Sequence, residues 1–256
     1  MASGPSSCNS EANKSRPPRI LRVLCGEPFG FSVNSVAVLG VLCVECGATN
    51  GKDSQTIMTT EPKIGIIAIQ GDYEAHGKTL DRLAVAHRFV RTPADLAGLA
   101  GVILPGGEST THLKVMREEG LFDALQQFAK GGGAFFGTCA GAIMLARHVH
   151  GPAQESLALL DIAILRNGYG RQLASDVHMG ATKLREEPLE MVFIRAPIIE
   201  SIGSEVEVLA QDAGHPVLVQ QGRILASTFH PELTDDTTVH DYFLRQLNGA
   251  RAAAER

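Results

Sequence analysis

The sequence is poor in cysteine over most of its length, carries no excess of positive charge and has no long apolar run. Four of its five cysteines lie in the first 50 residues and only Cys139 lies beyond them, which argues against a disulfide framework for the main domain. A net charge of −5 argues against the basic surface that nucleic-acid binding requires. No apolar run reaches the roughly 18 residues that a membrane-spanning helix needs. We therefore expect a cytoplasmic protein with neither nucleic acid nor membrane as a partner.

The 256 residues, 44% hydrophobic and 20% charged, are typical of one globular domain with tails. Residues 1–57 differ from the rest because they begin with a stretch rich in Ser, Pro and Asn. Cys43 and Cys46 in this segment have the spacing of half a zinc site, but the second half is not evident. We predict a disordered or misassigned extension over 1–57, a folded domain over 58–249 and a C-terminal tail over 250–256.

After residue 63 the chain alternates short apolar runs with amphipathic segments. The predicted strands are 64–69, 87–91, 101–104, 133–136 and 224–229, and the predicted helices are 73–86, 113–119, 122–130 and 142–146. Continuous apolar runs are typical of strands that are buried on both faces of a parallel sheet. The pattern predicts an α/β fold, a doubly wound, mostly parallel sheet flanked by helices. Ligand sites in such sheets lie at the carboxyl ends of the strands, where two glycine-rich turns fall.

Cys139 lies in one of these turns, in the sequence Gly137-Thr138-Cys139-Ala140-Gly141 between a predicted strand and a predicted helix. This G-x-C-x-G pattern is the thiol counterpart of the nucleophile elbow of serine hydrolases. A sharp turn leaves no room for side chains at the two glycines and points the sulfur over a helix N-terminus, where negative charge is stabilised. A lone cysteine is by default a small buried hydrophobe, but this context favours a nucleophile.

A cysteine nucleophile needs a base and a group that orients the base. His230 ends the apolar strand predicted over 224–229, and Glu232 follows two residues later. Side chains two apart on an extended segment share a face, so we expect the Glu232 carboxylate to accept a hydrogen bond from His230 and fix its tautomer. The eight other histidines lack this context, and we interpret them as ordinary surface or partly buried residues.

Five segments together carry a resemblance to a known family. They are PGGESTT at 105–111, FGTCAG at 136–141, RNGYGRQ at 166–172, FIRAP at 193–197 and FHPEL at 229–233. From about residue 63 to 247 the chain resembles the class I glutamine amidotransferases, and more narrowly the glutaminase subunits of pyridoxal phosphate synthases. It departs from the usual family pattern at Leu173-Ala174-Ser175-Asp176-Val177-His178, a change that concerns only local contacts past Ser175.

The resemblance implies roles for individual residues. Cys139 would be the nucleophile, His230 its general base and Glu232 the residue that orients His230. The glutamine-binding loop would be formed by Gly107, Glu108 and Ser109, with the Gly107 backbone helping to build the oxyanion hole, and the further glutamine contacts would be Arg166, Ile194 and Arg195. An amino-acid substrate needs an anion for its ammonium group and cations for its carboxylate. Because Arg195 interrupts what reads as an apolar strand, we expect a binding role for it rather than simple exposure.

The resemblance also implies the reaction and the partner. The chain would hydrolyse L-glutamine to L-glutamate and ammonia without a cofactor or metal, and would pass the ammonia to the synthase subunit in a large hetero-oligomer. The segment Gln70-Gly71 matches the part that the family uses near the synthase interface.

Three other functions are compatible with parts of the pattern. A cysteine peptidase or stress-response protein of related fold could use the same elbow but would not need the Gly-Gly-Glu-Ser loop together with Arg166 and Arg195. A glutaminase subunit of another biosynthetic pathway shares the triad, and the block over 166–172 argues against it. A catalytically dead binding subunit is the non-enzyme alternative, and the intact Cys, His and Glu set argues against that.

Overall fold

The computed structural model describes residues 64–168 and 176–254. The expectations for residues 1–57, including the Cys43 and Cys46 pair, lie outside the described residues. So do positions 173–175 of the departure from the family pattern, whereas its positions 176–178 begin a strand. None of the described helices is long and apolar enough to cross a membrane.

Twelve strands and five α-helices make up the described part of the chain. The strands are β1 (Ile64–Ile67), β2 (His87–Val90), β3 (Gly101–Leu104), β4 (Ala134–Thr138), β5 (Ala146–His150), β6 (Leu160–Leu165), β7 (Asp176–Thr182), β8 (Arg185–Phe193), β9 (Ile198–Ile202), β10 (Glu207–Asp212), β11 (His215–Gln221) and β12 (Ile224–Ser227). The helices are α1 (Tyr73–Arg82), α2 (Ser109–Glu118), α3 (Leu121–Lys130), α4 (Ala140–Leu145) and α5 (Thr238–Ala254), with short 3-10 turns at Pro93–Leu96 and Pro231–Leu233. Helix α5 continues into the segment that the sequence assigned to a tail.

Nine of the strands form one mixed sheet in the order β2-β1-β3-β4-β12-β11-β10-β7-β8. The five strands from β2 to β12 are parallel to one another, and the pairs from β12 to β8 are antiparallel. A second sheet has the order β5-β6-β9. The predicted α/β class is confirmed, but the sheet is mixed and not mostly parallel. Its parallel half contains the five strands that the apolar runs predicted. The antiparallel half and the small sheet were not predicted.

Helices cover both faces of the parallel half. Val102 and Leu104 of β3 join a hydrophobic cluster with Met116, Phe122 and Ile143 from helices α2, α3 and α4. Ile103, which points the other way because side chains alternate along a strand, joins a second cluster with Leu80 of α1 and Phe243 of α5. The sheet is therefore wound on both sides, and its strands are apolar throughout because neither face meets water.

Two helix boundaries differ from the prediction by four residues and the others by two or fewer, and one of the larger differences matters for the site. Helix α2 begins at Ser109 instead of 113, because the Glu108 side chain caps it by accepting a hydrogen bond from the Thr110 backbone N–H at 3.4 Å. Helix α1 ends at Arg82, four residues before the predicted end, and Ala84 beyond it has a positive φ of 54°. The short β3–α2 connection brings the glycine-rich turn close to the sheet edge.

Candidate active site

Cys139 connects β4 to α4 in a strained backbone conformation, with φ 48° and ψ −101°. The flanking glycines are required by space: a Cβ on Gly137 would stand 2.6 Å from the Gly141 carbonyl carbon, and a Cβ on Gly141 would stand 2.8 Å from the Leu104 carbonyl carbon. A positive φ is rare for a residue with a side chain and is found at strained functional turns. The turn has the geometry of a nucleophile elbow, and its Cys139 side chain is 7% exposed.

Pairing between β4 and β12 brings the cysteine and the histidine to one sheet edge. Thr138 is opposite Ser227 in the parallel register, and the Cys139 N–H donates to the Ser227 carbonyl at 2.8 Å. His230 follows three residues after Ser227 and is anchored by its own N–H, which donates to the Val192 carbonyl at 2.8 Å. The structure thus joins residues that lie about 90 positions apart in the chain at the carboxyl ends of two neighbouring parallel strands.

His230 and Glu232 form a buried hydrogen-bonded pair. His230 Nδ1 lies 2.8 Å from Glu232 Oε1, and the two residues are 3% and 4% exposed. The expected contact exists, but the reason given for it was wrong. Pro231–Leu233 is a 3-10 turn and not an extended segment, and the turn brings the Glu232 side chain back to the histidine ring.

The charges of this pair reinforce each other. Burial alone lowers the pKa of His230, but the neighbouring Cys139 and Glu232 side chains outweigh it and raise the pKa to about 10. Burial alone raises the pKa of Glu232, but His76 and the hydrogen bond from His230 outweigh it and lower the pKa to about 2. Glu232 is therefore an anion at neutral pH, and His230 is held in its protonated form beside Cys139.

A small pocket opens in front of the cysteine. Its lining contains Cys139, all six residues that the resemblance assigned to glutamine binding (Gly107, Glu108, Ser109, Arg166, Ile194 and Arg195), and in addition Ile143 and Asn167. The pocket joins carboxylate, guanidinium, amide and backbone groups around one thiol. Such a mixture suits a small zwitterionic ligand.

The polar groups of the pocket are held by their own contacts. Arg166 Nη2 donates to Glu108 Oε1 at 3.2 Å, and the Glu108 backbone N–H donates to Gln70 Oε1 at 3.1 Å. Hydrogen bonds from Thr110 and the charge of Arg166 lower the pKa of Glu108, so its carboxylate stays charged. The Ser109 hydroxyl donates to Gln154 Oε1 at 3.0 Å, a contact that the sequence did not reveal.

The expectation that Arg195 interrupts an apolar strand was wrong. Strand β8 ends at Phe193, and Arg195 lies in the following bend with a positive φ of 44°. Ile194, between them, places its carbonyl oxygen 3.9 Å from Cys139 Sγ. Arg195 reaches the pocket because of this bend, since an extended continuation of β8 would have kept the chain in the sheet.

Three of the histidines interpreted as surface or partly buried residues are fully buried: His76, His112 and His240. His76 and His240 lie directly behind Glu232, where His76 Nε2 is 3.5 Å from Glu232 Oε1. The spacing of His76 with Leu80 and Leu83 puts it on the apolar face of α1, a signal that could have been used. No comparable signal pointed to Thr138, whose hydroxyl lies 3.4 Å from Glu232 Oε1.

Asp72, His230 and Glu232 bring three potential ligand atoms within 4.8 Å of one another. The Nδ1 atom of His230 is already bonded to Glu232 and lies 3.9 Å from Asp72. This donor set is explained by the hydrogen-bonded pair without a metal ion, and the expected absence of a metal stays a prediction.

A glycine-flanked cysteine at a strained strand–helix turn, beside a buried His–Glu pair in an α/β sheet, is the arrangement expected of a class I glutamine amidotransferase. Comparison with known proteins agrees with this class. The chain matches the model of the SNO glutamine amidotransferase family over residues 66–249, and it belongs to that family. The resemblance inferred from the sequence motifs is confirmed.

Individual relatives are similar over nearly their whole length. A protein of Koribacter versatilis named pyridoxal 5'-phosphate synthase subunit PdxT is 49% identical over 190 residues, which are 74% of this chain and 98% of that relative. The subunit of the same name from Deinococcus radiodurans is 48% identical over 194 residues, with coverage of 74% and 98%. A solved structure described as a glutamine amidotransferase shares 44% identity and a TM-score of 0.69, covering 73% of this chain and 99% of its own.

Proposed function

We propose that this chain is the glutaminase subunit of a pyridoxal 5'-phosphate synthase and hydrolyses L-glutamine to L-glutamate and ammonia with Cys139, His230 and Glu232. The observation that carries the proposal is the position of this triad beside a pocket, which is lined by Cys139 and by all six residues assigned to glutamine binding. The relatives named as PdxT subunits support the pathway.

The first half of the reaction uses His230 as an acid. The Cys139 thiolate attacks the side-chain carboxamide carbon of glutamine, and backbone N–H groups near Gly107 and Ala140 stabilise the tetrahedral oxyanion. Protonated His230 then gives its proton to the amide nitrogen, so that the C–N bond breaks and ammonia leaves. A glutamyl thioester remains on Cys139. The raised pKa of His230 supports this order, because it keeps a proton on the His230 ring before the attack.

The second half uses His230 as a base. Neutral His230 takes a proton from water, the hydroxide oxygen bonds to the thioester carbonyl carbon, and the C–S bond breaks to release glutamate and restore the Cys139 thiolate. Glu232 accepts a hydrogen bond from the Nδ1–H of His230 throughout, so that Nε2 stays available for the transfers. No cofactor enters either half.

Charge complementarity assigns the ends of the substrate. Glu108 is the carboxylate of the pocket and is proposed to meet the α-ammonium group of glutamine, whereas Arg166 and Arg195 are proposed to meet its α-carboxylate. The Glu108–Arg166 contact at 3.2 Å keeps both groups at the pocket wall before the substrate arrives.

The partner follows from the fate of ammonia. Ammonia released into bulk water is protonated and loses its nucleophilicity, so a synthase subunit that receives it through a sheltered path has a chemical reason to associate. We propose a large hetero-oligomer with the synthase subunit, with the Gln70-Gly71 segment near the contact. A cytoplasmic location stays a prediction from the sequence.

We further propose that residues 58–249 carry the activity. The family match over 66–249 supports this assignment. The full-length relatives are covered to 98% by the aligned part of this chain, which also supports it. A chain beginning at Met58 is expected to keep full glutamine hydrolysis when mixed with the synthase. Loss of activity in that shorter chain would contradict the assignment.

The decisive experiment measures glutamate release and the path of nitrogen. Glutamine labelled with heavy nitrogen at its amide is supplied to the chain alone, to the chain with co-expressed synthase, and to the Cys139→Ala variant with the synthase. With the synthase present, we expect the glutamate released to equal the sum of free ammonia and the heavy nitrogen found in pyridoxal phosphate. Neither glutamate nor labelled pyridoxal phosphate should form with Cys139→Ala. Hydrolysis without labelled pyridoxal phosphate would favour a glutaminase subunit of another pathway.

A further inference from the structure

Behind Glu232, on the side away from the glutamine pocket, lies a buried chain of polar groups that the reaction as described does not use. His240 Nε2 lies 2.9 Å from His76 Nδ1, and His76 Nε2 lies 3.2 Å from the Thr138 hydroxyl. The Thr138 hydroxyl donates to Glu232 Oε1 at 3.4 Å, and His76 Nε2 is itself 3.5 Å from that oxygen. Both histidines and Thr138 are fully buried. A buried polar chain of this length is costly unless every member is satisfied.

The nitrogen without a partner, at the His240 end of this hydrogen-bonded series, sets the direction of the hydrogen bonds. His240 Nδ1 is buried and has no hydrogen-bond partner within the described residues. An unmatched buried N–H is rarer and more costly than an unmatched acceptor, so the proton of His240 belongs on Nε2, from which it donates to His76 Nδ1. His76 then carries its proton on Nε2 and donates toward Thr138 and Glu232.

The opposite direction has two faults. It would leave an orphan N–H at His240 Nδ1, and it would point the lone pair of His76 Nε2 at the Glu232 carboxylate 3.5 Å away. Burial lowers the pKa of both histidines, that of His240 to about 3, and the charge of Arg82 also disfavours a second proton on His240. Two neutral imidazoles, each protonated on Nε2, leave no N–H of this group without an acceptor. The atoms that stay unmatched are acceptors, His240 Nδ1 and Glu232 Oε2.

We propose that His76 and His240 are positioning residues of the triad, which through Thr138 aim hydrogen-bond donors at Glu232 Oε1 and so hold Glu232 as the oriented anion that fixes the His230 tautomer. The inference rests on the proposed function and extends the triad by a relay, which we define as the hydrogen-bonded series from His240 on α5 through His76 on α1 to Glu232. Glu232 sits in a 3-10 turn, and besides His230 the donors that face its Oε1 come from outside that turn, from Thr138 on β4 and His76 on α1. His240 acts on His76, and His76 acts on Glu232.

Kinetics of paired variants test the relay. His76→Leu removes the donor, whereas His76→Gln carries an amide N–H close to the position of Nε2. With the synthase present, we expect His76→Leu to lower kcat by about tenfold to a hundredfold with little change in KM, because the glutamine pocket is lined by other residues. His76→Gln should recover most of that loss, and His240→Leu should lower kcat by about twofold to tenfold. His148→Gln, an exposed histidine on β5, is the matched control.

The pH profile separates positioning from mere packing. The ionisable groups that face Glu232 and His230 are His76, His240 and Asp72. Cys139 and Arg82 lie further along the cluster. Loss of the His76 donor should move the acidic limb of kcat to higher pH in His76→Leu and leave it in place in His76→Gln. Equal damage in both variants, or a wild-type kcat in His76→Leu, would overturn the proposal.

Nitrogen NMR of the histidine rings in the wild-type chain gives a readout that needs neither a folded variant nor turnover. We expect His76 and His240 to stay neutral and protonated on Nε2 between about pH 5 and about pH 8. A ring of either histidine that titrates in this range, or a proton on His240 Nδ1, would overturn the relay. Failure of the proposed function is distinguishable, since it would appear as a wild-type complex that releases no glutamate whatever the tautomers are.

Discussion

The backbone of Gly106 lies directly against the imidazole ring of His230, and a Cβ added to Gly106 would stand 2.9 Å from His230 Nδ1. Gly106 needs no unusual dihedral angle, unlike Gly107 with its φ of 138°, so the glycine is required by space alone. The glycine-rich turn therefore does more than border the proposed glutamine pocket, because it also forms the wall against which His230, the proposed general base, rests.

Gly106→Ala is expected to push His230 out of line with Cys139. Because a displacement of about 1 Å in a catalytic group costs on the order of a hundredfold in rate, kcat should fall by about that factor while the chain stays folded. Gly131→Ala is the matched control, since its φ is −76° and its Cβ would meet only ordinary contacts at 3.5 Å and beyond. Steady-state glutamine hydrolysis with the synthase measures both variants. A wild-type kcat in Gly106→Ala would show that the wall has no role.

Covalent labelling tests the nucleophile. A glutamine-analogue diazo-ketone should alkylate Cys139 alone, because this thiol lines the pocket and is the nucleophile of the proposed triad. Peptide mass spectrometry locates the label, residual glutaminase activity should fall in proportion to it, and an excess of glutamine should protect. Labelling of Cys43 or Cys46 with Cys139 untouched would refute the assignment.

Substitution of Arg195 separates binding from chemistry. Arg195→Asn removes the charge but tolerates the positive φ of this position, which Ala would strain. The loss of a charge-assisted contact, about 1.5–3 kcal/mol, should raise KM roughly tenfold to a hundredfold and change kcat much less.

His230→Ala gives the contrasting result. It should lower kcat by at least about a hundredfold with the binding loop intact, because general acid and base are both lost. The control for Arg195→Asn is Arg147→Asn, which removes the charge of an exposed arginine that is paired with Asp161. An unchanged KM in Arg195→Asn would remove that residue from the binding site, and a near-normal kcat in His230→Ala would refute the triad.

The depressed pKa of Glu232 predicts a pH-dependent contribution to stability. The pKa is about 2 in the folded chain against an ordinary value of 4.5. The ionised carboxylate therefore stabilises the fold above about pH 4.5, and this contribution is lost as the pH falls toward about 2. Glu232→Gln should therefore be less stable than the wild type near pH 6 and nearly equal to it near pH 2.

Urea unfolding at several pH values checks this expectation, with Glu187→Gln as the control because Glu187 is exposed. The control should follow the wild type at every pH. A stability gap between wild type and Glu232→Gln that stays constant down to about pH 2 would mean that the carboxylate charge has no part in it.

The sequence by itself determined the α/β class, the parallel strands and the pairing of a cysteine elbow with a His–x–Glu segment. These features are local: an apolar run long enough to be a buried strand, two glycines around one cysteine, and a histidine at a strand end. The resemblance to a family added the pocket residues, and all six of them line one pocket with Cys139.

The tertiary structure alone decided the antiparallel half of the sheet and the surroundings of the triad. Strand β7 alternates between exposed and partly exposed positions and carries no continuous apolar run, so only its neighbours make it a strand. Arg195 enters the pocket through a bend at positive φ, which composition does not encode. His76 and His240 are 164 positions apart, and α1 and α5 must both pack on the same face of the sheet before the two rings meet behind Glu232. Contacts of this kind depend on how elements pack together, and local sequence specifies the elements far better than their partners.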